Sequence, residues 1–163
     1  IVDIGTILEC SIDEAIAHVK SPRLLEFVAA PLVRFVPVSP LVFPEAWSTG
    51  KYLVSLRLLG VVPFGKQAIV ISMSPSETGF SLRDAGYSAI VNTWDHLISI
   101  TPHGSDCYYR DRVEVHAGLL TPFIWLFAQL FYGIASVVGG HLSKKILTMD
   151  HPFKAVHPSY QKR

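Results

Sequence analysis

Hydrophobic and polar residues alternate over much of the chain, which is the pattern of β-strands with one buried face. The first such run covers residues 2–10, where Val2 and Ile4 alternate with small or polar residues. Further runs follow at residues 51–58, 67–73, 80–84, 88–101 and 105–118. Short connections join them, including turns expected at 60–65 and 84–86, so neighbouring strands are predicted to be antiparallel.

Two short helices are expected after the first strand. Ser11 and Glu14 have the spacing of a capping box, in which a serine oxygen and a glutamate three residues later satisfy free backbone N–H groups. This spacing predicts a helix over about residues 12–19. A cap at Ser21, followed by proline, predicts a second helix over residues 23–30.

Residues 31–49 form an apolar segment that is rich in proline. Its four prolines exclude a central strand, because proline cannot donate a ladder hydrogen bond. Two interpretations stay open. The segment is either a loop packed over the core or a lid over a cavity, in which Glu45 is the one acid.

The most apolar element is expected at residues 121–145. Thr121 and the proline after it have the pattern of a helix N-cap and first helical position. Apolar residues recur at helical spacing, and a second stripe holds Trp125 and Tyr132. A helix with so little polar surface needs a cover, either a bilayer or a sheet. A glutamine and three glycines dilute the run, so a sheet is favoured and no transmembrane span is expected.

This order of elements predicts an α+β protein. A curved antiparallel sheet of about six strands would wrap around the long C-terminal helix. Two short helices would follow the first strand, and an internal cavity would lie between sheet and helix. Residues 1–149 are expected to form a single domain and residues 150–163 a C-terminal tail.

The composition narrows the class of partner. Of the 163 residues 50% are hydrophobic and 17% are charged, and the net charge is +1. Such an apolar composition favours a lined cavity or an apolar contact surface, and so small a charge does not indicate a nucleic-acid interface. Two cysteines do not indicate a disulfide scaffold, and the first residues lack the pattern of a signal peptide, so a cytoplasmic location is expected.

Several segments together carry a resemblance to a known superfamily: Ser11–Ala15, Gly50–Tyr52, Trp94–His96, Tyr109–Asp111 and Ala117–Gly118. With this order of elements the chain resembles the SRPBCC superfamily, whose helix-grip fold is shared by START domains and polyketide cyclases. The resemblance implies a cavity for a small hydrophobic or amphipathic molecule of the lipid, polyketide or aromatic type, without a cofactor. The superfamily includes carriers, sensors and enzymes, so the resemblance leaves catalysis open.

The last helix departs from the bacterial relatives of this kind, which often carry basic residues midway along it. Residues 131–135 contain none, which favours a partner on that face and a homodimer through the C-terminal helix. An interaction protein that docks through this helix is therefore one alternative to a ligand-binding protein.

The last two strands predict a polar pair on the inward face. The more apolar positions are even-numbered in the strand at 88–101 and odd-numbered in the strand at 105–118. A tight turn near residue 103 then sets His96 directly opposite Asp111. A slip of two residues would keep the face but change the partner. The same register pairs Trp94 with Val113 and Ile98 with Tyr109.

An inward histidine that faces an inward aspartate has two interpretations. The pair is either a structural contact within the sheet or an oriented imidazole beside a cavity, able to act as a general acid or base. In the second case the chemistry would be proton transfer on a bound carbonyl compound, as in cyclisation, dehydration or isomerisation. Asp111 would hold the tautomer, His96 would move the proton, and Tyr109 or Tyr52 would hydrogen-bond an oxygen.

The candidate ligand-binding residues are those expected to line the cavity: Trp47, Tyr52, Phe80, Asp84, Trp94, Ile98, Val113, Trp125, Phe131 and Tyr132. An ordinary aromatic core would explain most of them equally well. Asp84 shares the inward parity of its strand, but it is expected at the strand's end, where an acid commonly starts a turn. The sequence has no HExxH motif and no paired cysteine spacing, so no metal is expected.

Overall fold

The computed structural model of the protein describes residues 1–30, 32–76 and 78–118. Its elements in chain order are β1 (Val2–Leu8), α1 (Ile12–Val19), α2 (Pro22–Ala29), β2 (Val33–Ser39), β3 (Gly50–Leu58), β4 (Val62–Ser76), β5 (Gly79–Ser88), β6 (Thr93–His103) and β7 (Asp106–His116). The predicted helix at 121–145, its Trp125, Phe131 and Tyr132, the homodimer contact assigned to it and the tail at 150–163 lie outside the described residues.

The seven strands form one sheet in the order β1-β7-β6-β5-β4-β3-β2, and every neighbouring pair is antiparallel. β2 to β7 are a meander, as their short connections predict. β1 joins the sheet beside β7, so β1 and β2 are its two edges.

One face of the sheet, here called the inner face, carries the core. Its side chains are the even-numbered residues of β1, β3, β5 and β6 and the odd-numbered residues of β7, of β2 up to Pro37 and of β4 from Gln67 onward. Val54, Ile100, Cys107 and Val113 are the most deeply buried of the large side chains. α1 contacts β5, β6 and β7, and α2 contacts β2, so both helices lie against this face. The parity predicted for the last two strands is therefore confirmed.

The capping box at the start of α1 is confirmed. Oγ of Ser11 accepts from the backbone N–H of Glu14 at 3.3 Å, and a carboxylate oxygen of Glu14 accepts from the N–H of Ser11 at 2.9 Å. α1 buries Ala15 and Val19 against the core. The N-cap of α2 is Ser21, but its side chain makes no capping hydrogen bond, and the helix starts one residue earlier than predicted.

The prediction of an α+β helix-grip fold is wrong. The described residues form a seven-stranded antiparallel sheet with two helices of eight residues each, and no long helix lies among them. The strand that the sequence pattern missed is β2, because Pro37 interrupts its alternation. β2 is an edge strand, and its register against β3 shifts between Pro37 and Ser39. Proline is tolerated at such an edge, so the exclusion of a central strand was correct but the assignment of 33–39 to a loop was wrong.

β5 is longer than its sequence pattern predicted. It runs to Ser88, and the connection to β6 follows it, so the turn predicted at 84–86 is wrong. Asp84 therefore lies within the strand, paired with His96 of β6. This extension brings a second carboxylate to the part of the inner face that carries the predicted polar pair.

Candidate functional site

Four polar side chains of the inner face lie together across β5, β6 and β7 and are here called the inner-face polar cluster: Asp84, His96, Tyr109 and Asp111. The observed register pairs His96 with Val113 and Asp111 with Ile98, so the predicted register is wrong by two residues. The reason is the position of the turn, which lies at residues 104–105 rather than near residue 103.

His96 and Asp111 are nevertheless in contact, because they are diagonal neighbours on the same face. Nε2 of His96 lies 2.7 Å from Oδ1 of Asp111. This separation is short enough for an ion pair when the ring is protonated. The side chains are only 17% and 11% exposed, so water screens the attraction weakly.

The second oxygen of Asp111 is also engaged. The hydroxyl of Tyr109 donates to Oδ2 at 3.0 Å. In the described part of the chain, Asp111 is the one charged residue that is buried, with 9% of its surface exposed. A carboxylate that is buried needs such partners for both oxygens, so Tyr109 and His96 together hold Asp111 in place.

Asp84 is the second carboxylate beside the ring. Its Oδ1 accepts from the backbone N–H of Val70 at 2.7 Å. Burial raises the pKa of Asp84 to about 6, and the hydrogen bond from Val70 and the charge of His96 offset only part of that effect. Asp84 therefore changes its charge close to neutral pH, unlike an ordinary aspartate.

The pKa of His96 is raised above its ordinary value. Burial of the ring acts to lower it, but the negative charge of Asp111 and its direct polar contact with the ring, followed by the charges of Asp84 and Asp95, outweigh burial. The protonated, positively charged imidazole is thus favoured inside the protein. A histidine whose pKa is raised, beside an aspartate whose pKa is raised to about 6, is the type of pair that can hold or move a proton.

The inner-face polar cluster separates two apolar regions. One contains Ile98 and Ile100 with the residues beneath α1, and the other contains Val113, Val115 and the partly buried Trp94. A ligand placed along this face would therefore meet apolar side chains at both ends and polar groups at its middle. This distribution suits an amphipathic molecule.

The predicted lining residues within the described part of the chain all share the inner side of the protein. Phe80, Ile98 and Val113 are buried and Trp94 is partly buried. Tyr52 and Trp47 are buried too, with ring centroids 4.8 Å apart and nearly perpendicular planes. The backbone of Trp47 is also fixed, since its N–H donates to the carbonyl of Lys20 at 2.7 Å.

The hydroxyl of Tyr52 fixes the loop between β2 and β3 through three polar contacts with Ser48. It lies 2.9 Å from Oγ of Ser48, accepts from the backbone N–H of Ser48 at 3.2 Å and donates to its carbonyl at 3.1 Å. We therefore assign Tyr52 a structural role in holding this connection.

Replacing Tyr52 with phenylalanine should lower the free energy of unfolding by about 1 to 1.5 kcal/mol, because the ring stays and its hydrogen bonds are lost. Urea denaturation measures the change. Tyr87→Phe is the matched control: its exposed hydroxyl accepts from Nζ of Lys51 at 2.6 Å, and its loss should change stability by less than about 0.5 kcal/mol. Equal effects of the two substitutions would contradict this role of Tyr52.

The opposite face of the sheet, here called the outer face, carries charged pairs. Arg83 donates twice to Asp95 at 2.7 and 2.6 Å, and Arg110 donates twice to Asp3 at 2.8 and 2.7 Å. A groove of about 430 Å³ lies on this face, lined by Ser72, Ser74, Ser81, Arg83, Asp95, Leu97, Arg112 and Glu114. Paired and exposed charges of this kind are typical of a solvated surface.

Among residues 1–30, 32–76 and 78–118, no three histidine, cysteine or acidic side chains are grouped so that they could hold a metal ion. Neither helix in this part of the chain is long and apolar enough to cross a membrane.

The fold is shared with several solved structures. A conserved protein from Geobacillus kaustophilus has a TM-score of 0.52 and 17% identity, over 90% of this chain and 94% of that one. A protein from Thermus thermophilus has a TM-score of 0.51 and 10% identity, over 91% and 98%. A protein from Cytophaga hutchinsonii has a TM-score of 0.55 and 11% identity, over 93% and 95%. No protein-family model and no curated protein matches the sequence. At these identities the likeness concerns the fold alone.

Asp84 is the member of the cluster whose role the sequence pattern misjudged. Phe80, Leu82, Asp84 and Gly86 all have inward parity, so continued alternation was the available indication that the strand does not end at residue 84. The acid and the glycine looked like a turn. In the structure both are strand residues, and a side chain at residue 86 would crowd the carboxylate of Asp84 and the carbonyl of Ala68.

Proposed function

We propose that the protein binds a small hydrophobic or amphipathic molecule against the inner face of its sheet. The observation that carries the proposal is a cluster of titratable side chains set between two apolar regions of one face. Buried charge is costly, and a sheet that needed only a core would be served by apolar residues at these positions. The resemblance of several sequence segments to ligand-binding SRPBCC proteins supports the same class of ligand.

In this proposal the apolar regions supply affinity and the inner-face polar cluster supplies orientation. The charged ring of His96 attracts an electron-rich group of the ligand, such as a carbonyl oxygen. Asp111 and Tyr109 already fix the position of the His96 ring in the free protein. Less conformational entropy is therefore lost when the ligand binds. We therefore expect ligands with one central oxygen function to bind better than hydrocarbons of the same shape.

Two probes of nearly equal size test this expectation: 2-acetylnaphthalene, which carries a ketone, and 2-ethylnaphthalene, which does not. We expect the ketone to bind about tenfold more tightly, as a hydrogen bond to a charged group implies. Quenching of tryptophan fluorescence measures both affinities.

The matched variants are His96→Leu/Asp111→Leu, which removes both members of the buried pair together, and His116→Gln on the exposed side. The double variant should keep hydrocarbon binding and lose the preference for the ketone, whereas His116→Gln should change neither. Failure of both probes to bind would refute ligand binding by this face. An unchanged preference in the double variant would refute the role of the cluster.

A second candidate is proton-transfer catalysis on the bound carbonyl compound. The pKa of Asp84, raised to about 6, and the raised pKa of the neighbouring His96 favour it, because an acid and a base with shifted pKa values lie side by side on this face. In the simplest step, a base of the cluster takes a proton from the carbon beside the carbonyl, the electron pair moves onto the carbonyl oxygen as an enolate, and a solvent-derived proton returns.

Deuterium exchange into the methyl group of 2-acetylnaphthalene in heavy water tests this step by mass spectrometry. Exchange above the buffer rate that disappears in His96→Leu/Asp111→Leu would support catalysis. Exchange at the buffer rate, together with intact binding of the ketone, would show that the protein binds this compound without catalysing proton transfer.

A cytoplasmic location is part of the proposal. Cys10 and Cys107 are free thiols with sulfurs 4.0 Å apart. A reducing compartment keeps such neighbouring thiols unbonded. Mass analysis of protein alkylated in freshly lysed cells would detect two modified cysteines if the location is reducing, and none if the pair is oxidised there.

A further inference from the structure

The turn between β3 and β4 exposes a run of apolar side chains at one end of the sheet. Leu59 is 68% exposed, Val61 is 71% and Val62 is 51%, and Phe64 follows at 38%. Single exposed apolar residues are common on protein surfaces, but a contiguous set at the tip of a hairpin is not.

The conformation of the tip makes this choice of residues more unusual. Leu59 and Gly60 have φ values of 49° and 76°, and the N–H of Val61 donates to the carbonyl of Leu58 at 3.1 Å. Two central residues with positive φ form the hairpin turn in which asparagine followed by glycine is preferred. A leucine is strained in this region, and here it is also exposed, so neither the turn nor the core requires it.

Cationic side chains flank this tip on the outer face. Arg34 of β2 lies directly opposite Arg57 of β3, and Lys66 of β4 lies beside them, opposite Ser55. All three cations are exposed, and none has an ion-pair partner in the described part of the chain. Like charges placed directly opposite each other disfavour strand pairing, so an external negative surface would relieve a repulsion that folding leaves in place.

The charge of this half of the sheet differs from that of the other half. β2, β3 and β4 contain four basic residues and no acidic one. The arginines of β5 and β7 that form ion pairs do so with Asp95 and Asp3. The apolar tip is thus attached to the one part of the sheet with an unbalanced positive charge.

We propose that the β3–β4 hairpin docks the protein on an anionic lipid bilayer, with Leu59, Val61 and Phe64 entering the interface and Arg34, Arg57 and Lys66 contacting lipid phosphates. Apolar insertion and basic contacts together are the two contributions that peripheral membrane binding requires. We infer a lipid surface as the partner because a bilayer is apolar inside and, with anionic lipids, negatively charged at its surface. The short apolar tip would meet the apolar layer, and the cations beside it would meet the anionic head groups.

Cosedimentation with sucrose-loaded vesicles tests the proposal. Vesicles of phosphatidylcholine with about one third phosphatidylglycerol should bind the protein, and pure phosphatidylcholine vesicles should bind it at least about tenfold more weakly. High salt should weaken the binding to the anionic vesicles, because the cationic contacts are exposed. The proposal is independent of ligand binding by the inner face.

Leu59→Asn separates docking from folding, because asparagine suits the positive φ of the turn. We expect this variant to be at least as stable as the parent and to bind anionic vesicles about fivefold to tenfold more weakly. Leu41→Asn is the matched control, since Leu41 is even more exposed, at 82%, but lies in the β2–β3 connection at the other end of the sheet. Its vesicle binding should equal that of the parent.

Absence of vesicle binding, or equal loss in the two variants, would overturn the proposal. A parent protein that is dimeric in light scattering, and that Leu59→Asn makes monomeric without altering vesicle binding, would overturn it as well. That result would show that the tip contacts a second copy of the chain.

Discussion

Replacing Asp111 with alanine is expected to lower the free energy of unfolding by about 3 to 5 kcal/mol, the usual cost of removing one member of a buried charged pair. The substitution leaves the ring of His96 without the carboxylate 2.7 Å away and removes the acceptor of the Tyr109 hydroxyl. The cavity left at this buried position adds to the loss. Urea denaturation at neutral pH measures the change.

Two further variants test whether the loss of stability comes from leaving His96 buried without its charged partner. The double variant His96→Leu/Asp111→Leu should lie within about 1 to 2 kcal/mol of the parent, because neither member of the pair is left buried without the other. Glu114→Ala removes an exposed acid from the neighbouring outer face, 3.0 Å from His116, and should cost less than about 1 kcal/mol. A loss in Asp111→Ala no larger than that of Glu114→Ala would contradict the burial and pairing described here.

Replacing Asp84 with asparagine is expected to stabilise the protein at pH 7.5. The pKa of Asp84 is raised from 3.8 to about 6 in the folded protein, so the folded state holds a proton that the unfolded state has released. Stability is therefore lost as the pH rises through that window. A difference of about two pKa units corresponds to a loss of roughly 2 to 3 kcal/mol in the stability of the parent. The asparagine variant avoids this loss, because its amide carries no charge. The amide oxygen can still accept from the N–H of Val70.

The pH dependence gives this prediction its control. The advantage of Asp84→Asn should be largest at pH 7.5 and should shrink towards pH 4.5, where the aspartate of the parent is protonated. Asp95→Asn should behave in the opposite way: Arg83 lowers the pKa of Asp95, so removing this partly exposed charge should cost a little stability, less than about 1 kcal/mol. If Asp84→Asn destabilises the protein at pH 7.5, the assigned burial of this carboxylate is wrong.

Local rules predicted the parts of the fold that depend on neighbouring residues. The capping box at Ser11 placed α1, and the period-two alternation gave the inward side of β6 and β7, because one face of each strand is buried. The same rules missed β2. An edge strand can contain a proline and shift its register, and only its position in the sheet reveals that Pro37 is tolerated there.

The sequence predicted that His96 and Asp111 lie together in the candidate site, but it did not predict their register or the role of Asp84. His96 and Asp111 were correctly expected on one face, and a two-residue error in register still left them as neighbours, because diagonal positions on adjacent strands are within reach of long side chains. The contribution of Asp84 was not predicted, because Asp84 and Gly86 have the composition of a turn, although the inward alternation of β5 continues through both of them. The helix-grip assignment failed for a different reason: it depended on a long helix at 121–145, and no long helix lies among the described residues.

The most direct test of ligand binding by the inner face is the location of a bound probe, measured by NMR of protein with labelled methyl groups during titration with 2-acetylnaphthalene. Ile98, Ile100 and Val113 report on the inner face, and Leu97 reports on the outer groove. We predict saturable shifts at the inner-face methyl groups and none at Leu97. Shifts confined to Leu97, or no saturable shift at any methyl group, would contradict the proposal that the inner face is a ligand-binding site.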